Sequence, residues 1–236
     1  LSASNSADDS NIIALAEDTM QPGQFKYKNR LIVSKEIGIK DCVDPFVVED
    51  DVTHKVYLFF GATSGIYRVE LSADGLNLAE GAVPARVAGL DIAVDRQRSK
   101  VFQAAFIHKH QDYWYLFVSC GHYNSSSSNI LVGRSRTLDG MFIDKQGMVM
   151  YDGHASAVFA AEDLGDYFYG PGNAGGIISD REGRDFLFYN CHNTEAKGTS
   201  TYNPRPLMMQ QIIWDNQGWP SLQIGLSQWL ESRPAL

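Results

Sequence analysis

Three polar residues stand at matching places in this 236-residue chain: Asp44 in Asp44-Pro45-Phe46-Val47-Val48, Gln103 in Gln103-Ala104-Ala105-Phe106-Ile107, and Asn173 in Asn173-Ala174-Gly175-Gly176-Ile177-Ile178. Each is followed by a short apolar strand, a polar turn and an aromatic run. The runs are Val56-Tyr57-Leu58-Phe59-Phe60, Trp114-Tyr115-Leu116-Phe117-Val118 and Phe186-Leu187-Phe188-Tyr189. One carboxylate and two amides at equivalent positions point to one shared site. A carboxylate can carry a proton to or from a ligand, whereas an amide offers hydrogen bonds alone.

The elements that must bring these residues together follow from the repeat. Leu58 and Leu116 are 58 residues apart, Leu116 and Leu187 are 71 apart, and Leu1 precedes Leu58 by 57. A period near 60 with a variable loop suits four strands per unit. After the aromatic run comes a third strand, at Gly65–Glu70 or Asn129–Ser135, and Asn11–Ala16 fills this place in the first unit. The segments are rich in β-branched and aromatic residues and are divided by Gly, Asp, Asn and Ser turns. Apolar runs without clean alternation imply sheets covered on both faces. An all-β propeller meets these conditions, and a two-sheet sandwich would not require the period. One propeller domain is expected over 1–236, with a partial blade 1 (about 1–40), blade 2 (about 41–100), blade 3 (about 101–165), and blade 4 with closing strands (166–236). The segment Leu1-Ser2-Ala3-Ser4-Asn5-Ser6 reads as the end of a strand. The first blade is therefore expected to be incomplete, its missing strand coming from a longer chain or from elsewhere.

Bulk properties narrow the partners. The net charge of −8 argues against nucleic acid and against an anionic membrane surface, and it suits a neutral substrate. No apolar run approaches the ~18 residues of a membrane span. Cys42, Cys120 and Cys191 are far apart and odd in number, with neither a disulfide framework nor zinc spacing.

In a propeller the first strand of each blade lines the central channel, so Asp44, Gln103 and Asn173 converge at one mouth of the axis. Glycosidic hydrolysis needs a base that activates water and an acid that protonates the leaving oxygen. Groups on separate blades can hold the ~6.5–9.5 Å gap of an inverting mechanism. The pattern resembles glycoside hydrolase family 43, the arabinanase and β-xylosidase group of five-bladed propellers. The resemblance rests on Val43-Asp44-Pro45, on Gln103-Ala104-Ala105-Phe106-Ile107 ahead of Tyr113–Ser119, and on Val132-Gly133-Arg134-Ser135. Gly170-Pro171-Gly172-Asn173 and Trp214–Pro220 extend it in the same order along the chain.

The resemblance implies a role for each position. Asp44 falls where the family has the Asp that tunes and orients the acid. Gln103 falls where the family has its general-acid Glu, and an amide cannot donate that proton. Asn173 replaces a His and stands beside the place of an axial ion or water; no cofactor is otherwise required and no metal ligands are assigned. The family's base lies ahead of Leu1, and neither Asp8 nor Asp9 matches it. Arg205, nine residues before Trp214, has the spacing of a substrate-gripping Arg. His122 could rim the cleft. Phe46, Phe106 and Tyr169 are candidates to stack on sugar faces, with core packing as the alternative. The expected function is an inverting glycosidase on arabinose- or xylose-containing plant polysaccharide or oligosaccharide, impaired here because of Gln103 and the absent base strand. A non-catalytic carbohydrate-binding propeller and a protein-interaction scaffold are the alternatives. If the chain follows the family, it is secreted or periplasmic.

Overall fold

The computed structural model describes residues 2–5, 10–18, 21, 24–97, 99–122, 126–158, 168–193 and 205–222. Asp8, Asp9 and the chain after 222 lie outside them. Four antiparallel sheets follow one another along the sequence. The first holds β1 (Ser2–Asn5), β2 (Ser10–Asp18) and β3 (Phe25–Val33), and the short helix α1 (Ser34–Ile37) follows it. The second holds β4 (Phe46–Glu49), β5 (Val56–Phe60), β6 (Ile66–Leu71) and β7 (Ala85–Ala88). The third holds β8 (Phe102–His110), β9 (Tyr113–Cys120), β10 (Asn129–Ser135) and β11 (Ser156–Ala157). The fourth holds β12 (Phe168–Ser179), β13 (Asp185–Asn193), β14 (Leu207–Trp214) and β15 (Pro220–Leu222). In every sheet the strands pair in chain order.

The aromatic runs explain how the sheets stack. Successive side chains on a strand point to opposite faces. On β5, Val56, Leu58 and Phe60 enter a core shared with Ile13 and Ile32 of the first sheet. Tyr57 and Phe59 enter a second core, with Leu116 and Val118 of β9. On β9, Tyr115 and Phe117 face the other way, into a third core with Leu187 and Tyr189 of β13. Each seam joins one sheet to the next, so the two inner sheets are buried on both faces. That is why β5 reads as an unbroken apolar run, and every one of its residues is buried. A two-layer sandwich would leave one face of each sheet in water, and the molecule is not built that way.

The first strands of neighbouring sheets lie side by side: β8 packs against β4 on one side and β12 on the other. These strands differ from expectation in one respect. Asp44 precedes β4, but Gln103 lies within β8 and Asn173 within β12. Both ladders continue upstream across irregularities, one between Gln103 and Phe106, the others between Tyr169 and Gly176. At such breaks an extra residue bends the strand and re-aims its side chains.

Candidate active site

The three stations share a backbone state. Asp44, Ala104 and Asn173 all adopt left-handed φ values, of 52°, 54° and 55°. Asp and Asn tolerate this region, whereas for Ala it is an uncommon, strained state. The turn at each station swings the chain so that a polar side chain faces a cavity of about 290 Å³. Asp44, Gln103, Ala104, Ser119, Ser128, Asn173 and Arg205 line it. Four residues singled out from sequence thus meet in one place, although they come from three sheets.

Hydrogen bonds tie the stations to one another. The Asp44 carboxylate accepts from the backbone N–H of Ala104, linking the second sheet to the third. The Asn173 backbone N–H donates to Ser119 Oγ at 2.7 Å, linking the fourth to the third. Ser119 is itself the cross-strand partner of Gln103. The Asn173 side chain donates to Asn190 Oδ1 at 3.2 Å, and Asn190 Nδ2 donates to the carbonyl of Arg205 at 3.3 Å. The Ser128 hydroxyl donates to the Pro171 carbonyl at 3.0 Å. Gly172 leaves the space that the Arg205 guanidinium needs. A Cβ there would stand 3.3 Å from Arg205 Nη2 and 2.9 Å from Ser128 Oγ.

The electrostatics are sparse. Among the described residues Asp44 is the one carboxylate on the wall. Water reaches it through the open mouth, but the protein packed around its other sides withholds solvation and raises its pKa, against the pull of the Ala104 N–H. Arg205 is half-buried, and burial lowers its pKa. Gln103 holds no charge. Among the described residues the wall offers one carboxyl beside amides, hydroxyls and a guanidinium, a set that can bind and orient a polar ligand. Among the described residues no cluster of His, Cys, Asp and Glu has the makings of a metal site.

Other candidates lie elsewhere. Phe106 is 6% exposed, and its ring meets Phe46 edge-on at a centroid distance of 5.2 Å. Both serve the seam between sheets rather than the cavity wall. Tyr169 is half-buried and stacks on His192 at 5.1 Å. His122 is exposed and is not part of the wall. Ser119 and Ser128 went unrecognised from sequence. For Ser119 the available signal was a hydroxyl closing an otherwise apolar aromatic strand opposite Gln103. Ser128 hides in a run of four serines, where nothing marks one above the rest.

Comparison with known proteins bears on the same arrangement. A probable arabinan endo-1,5-α-L-arabinosidase C of Aspergillus clavatus is 32% identical over 182 residues, covering 72% of this chain and 53% of that protein. An extracellular exo-α-(1→5)-L-arabinofuranosidase of Cellvibrio japonicus is 28% identical, covering 86% of this chain and 59% of its own length. The chain therefore spans between half and two thirds of the curated relatives it matches. Among solved structures, the GH43 endo-arabinanase from Bacillus licheniformis superposes with a TM-score of 0.71 at 23% identity, covering 93% of this chain and 70% of that one. The α-L-arabinanase of Cellvibrio cellulosa, complexed with arabinohexaose, gives a TM-score of 0.71 at 22% identity over 94% of this chain and 70% of that one. These likenesses give an all-β fold of the arabinanase propeller kind. The family model for glycosyl hydrolases family 43 matches residues 1–220, nearly the whole chain, and the chain belongs to that family.

Proposed function

We propose that the cavity binds arabinose-containing oligosaccharide or polysaccharide, and that this chain on its own turns such a ligand over slowly if at all. The observation that carries the reading is the meeting of Asp44, Gln103, Asn173 and Arg205 on one wall, with an amide at the general-acid position. The relatives act on arabinan by name, and one solved structure holds arabinohexaose. This favours arabinan over xylan as the ligand. Loss of general acid catalysis typically slows a reaction by about 10²–10⁴-fold. In the same reading the fold is a five-bladed propeller acting by inversion. The three-stranded first sheet is a partial blade, and no described residue of the wall is assigned as the general base. A water or a weakly held hard cation beside Asn173 suits the neutral oxygens of the wall, with Asp44 as its one anionic neighbour. No further cofactor is required.

Calorimetry with arabinotriose and arabinohexaose tests the binding half, and measurable heat of binding is expected. Reducing-sugar release by the Gln103→Glu chain tests the catalytic half. Restoring the acid alone adds no further carboxylate to serve as the base in this reading, so no substantial hydrolysis is expected. Full activity of the 236-residue Gln103→Glu chain would refute the impaired-site reading. Absence of heat with every arabino-oligosaccharide would refute the binding reading.

A further inference from the structure

Arg205 carries a positive charge at the cavity that nothing in the described structure balances. Its Nε is buried and has no hydrogen-bond partner among the described residues. The described ion pairs do not include it, although Asp44 lines the same cavity. The group beside it is the Cys191 thiol, which burial pushes up to about 12 and so keeps neutral. A half-buried guanidinium without a counter-charge is costly, and the usual resolution is an anion. Arg205 and Asp44 apart, the described wall is neutral. Gln103 and Asn173 contribute amides, Ser119 and Ser128 hydroxyls. Asp44 is the one carboxylate among the described wall residues, and burial raises its pKa.

We propose that this cavity takes an acidic sugar, a uronic acid residue of a polysaccharide or oligosaccharide, with its carboxylate on the Arg205 guanidinium. The inference rests on reading the cavity as a carbohydrate site and adds the charge of the sugar. The planar fork of Arg matches a carboxylate in a two-point contact. A phosphate dianion would call for a second cation, and the described residues of the wall supply one. Gln103 is part of the selectivity. A Glu at this position would set a second carboxylate on the wall and compete for the guanidinium, whereas the amide donates a hydrogen bond to a bound anion. The amide that weakens acid catalysis thus makes the site receptive to negative charge.

The test is calorimetry with three probes of similar size: trigalacturonate, its fully methyl-esterified form, and arabinotriose. Esterification removes the charge and keeps the shape. Trigalacturonate should bind on the order of tenfold to a hundredfold tighter than the ester, the range expected for hydrogen bonds to a charged group. The advantage should shrink at high salt. Arg205→Gln should abolish the difference. Should that variant fail to fold, Gln103→Glu provides an independent arm: it should weaken trigalacturonate binding by a larger factor than arabinotriose binding. Equal affinity for acid and ester would overturn the inference, as would inorganic sulfate displacing trigalacturonate at comparable concentration, which would mark a general anion site. Arabinotriose binding without a preference for the acid sinks the inference and spares the proposed function. Failure of all three probes sinks both.

Discussion

Asp44 shows how one residue serves the site at the expense of the fold. It sits at a left-handed turn with its carboxyl crowded by protein, and its pKa rises in consequence. The sign of the effect on stability follows. In the unfolded chain Asp ionises near its ordinary value of ~3.9. In the folded chain it ionises at a higher pH, so stability declines as pH rises between the two values and stays lower above them. Asp44→Asn keeps the shape and the tolerance of left-handed φ while removing the charge. It should therefore raise the melting temperature at pH 7 and have little effect at pH 3. Thermal melts at the two pH values decide this, and a lower melting temperature at pH 7 would contradict it. The identity of the site residues was legible because polar types recurred at one place in a repeat. Their backbone state was not. Nothing in Ala104 announces a left-handed φ, and its N–H meets the Asp44 carboxylate of the neighbouring sheet.

At the scale of the strand, β8 was legible as an element but not in its extent. The run Phe106-Ile107-His108 marks its regular part, where both faces are covered. The ladder begins earlier, at Phe102, and crosses an irregularity that hydrophobic pattern does not encode. The far end of β8 makes a second point. His108 and His110 share one face of the strand, two residues apart, and that face meets Trp214 of β14. The His110 ring lies parallel to the indole at 3.8 Å, and its Nδ1 is 3.7 Å from Asp185 Oδ2. Asp185 in turn accepts from Trp214 Nε1 at 2.8 Å. Burial lowers the pKa of both histidines more than the Asp185 charge raises it. The unfolded chain therefore takes up protons first, near the ordinary His value of ~6.5, and stability is lost as pH falls through that value toward the folded-state values. The denaturation midpoint should drop between pH 7 and pH 5. His108→Gln combined with His110→Gln should flatten the dependence. An unchanged slope in the double variant would place its source elsewhere.

For the whole molecule, the order of the seams matters more than the number of strands. Each core is built from two sheets adjacent in the chain, and the inner sheets act as partitions with one face in each of two cores. This much was legible, because a repeated and fully apolar strand has no other way to bury both faces. The interlocking of sheets through single polar bonds was not legible. Arg68 Nη1 donates to the Leu138 carbonyl at 2.8 Å, and Arg134 Nη1 donates to the Gln217 carbonyl at 2.6 Å. These contacts span 70 and 83 residues, and side-chain type alone does not announce them.

The seam order has a thermodynamic consequence. Leu58 is fully buried in the seam between the first and second sheets, and Leu187 is fully buried in the seam between the third and fourth. A whole sheet interface separates the two. Each Leu→Ala change removes a well-packed side chain and should cost about 2–5 kcal/mol. Because the two cavities share no neighbours, their costs should add to within about 0.5 kcal/mol. Leu116 is also fully buried, in the middle seam with Tyr57 and Phe59. Its strand neighbours Tyr115 and Phe117 belong to the seam that holds Leu187. A cavity at Leu116 can shift β9 and so disturb the packing around Leu187. Leu116→Ala with Leu187→Ala should therefore deviate from additivity more than Leu58→Ala with Leu187→Ala does. Chemical denaturation of the three single and two double variants measures both coupling energies. If the Leu58–Leu187 pair proved as strongly coupled as the Leu116–Leu187 pair, the sheets would be acting as one continuous core, and the partitioned packing would have to be abandoned.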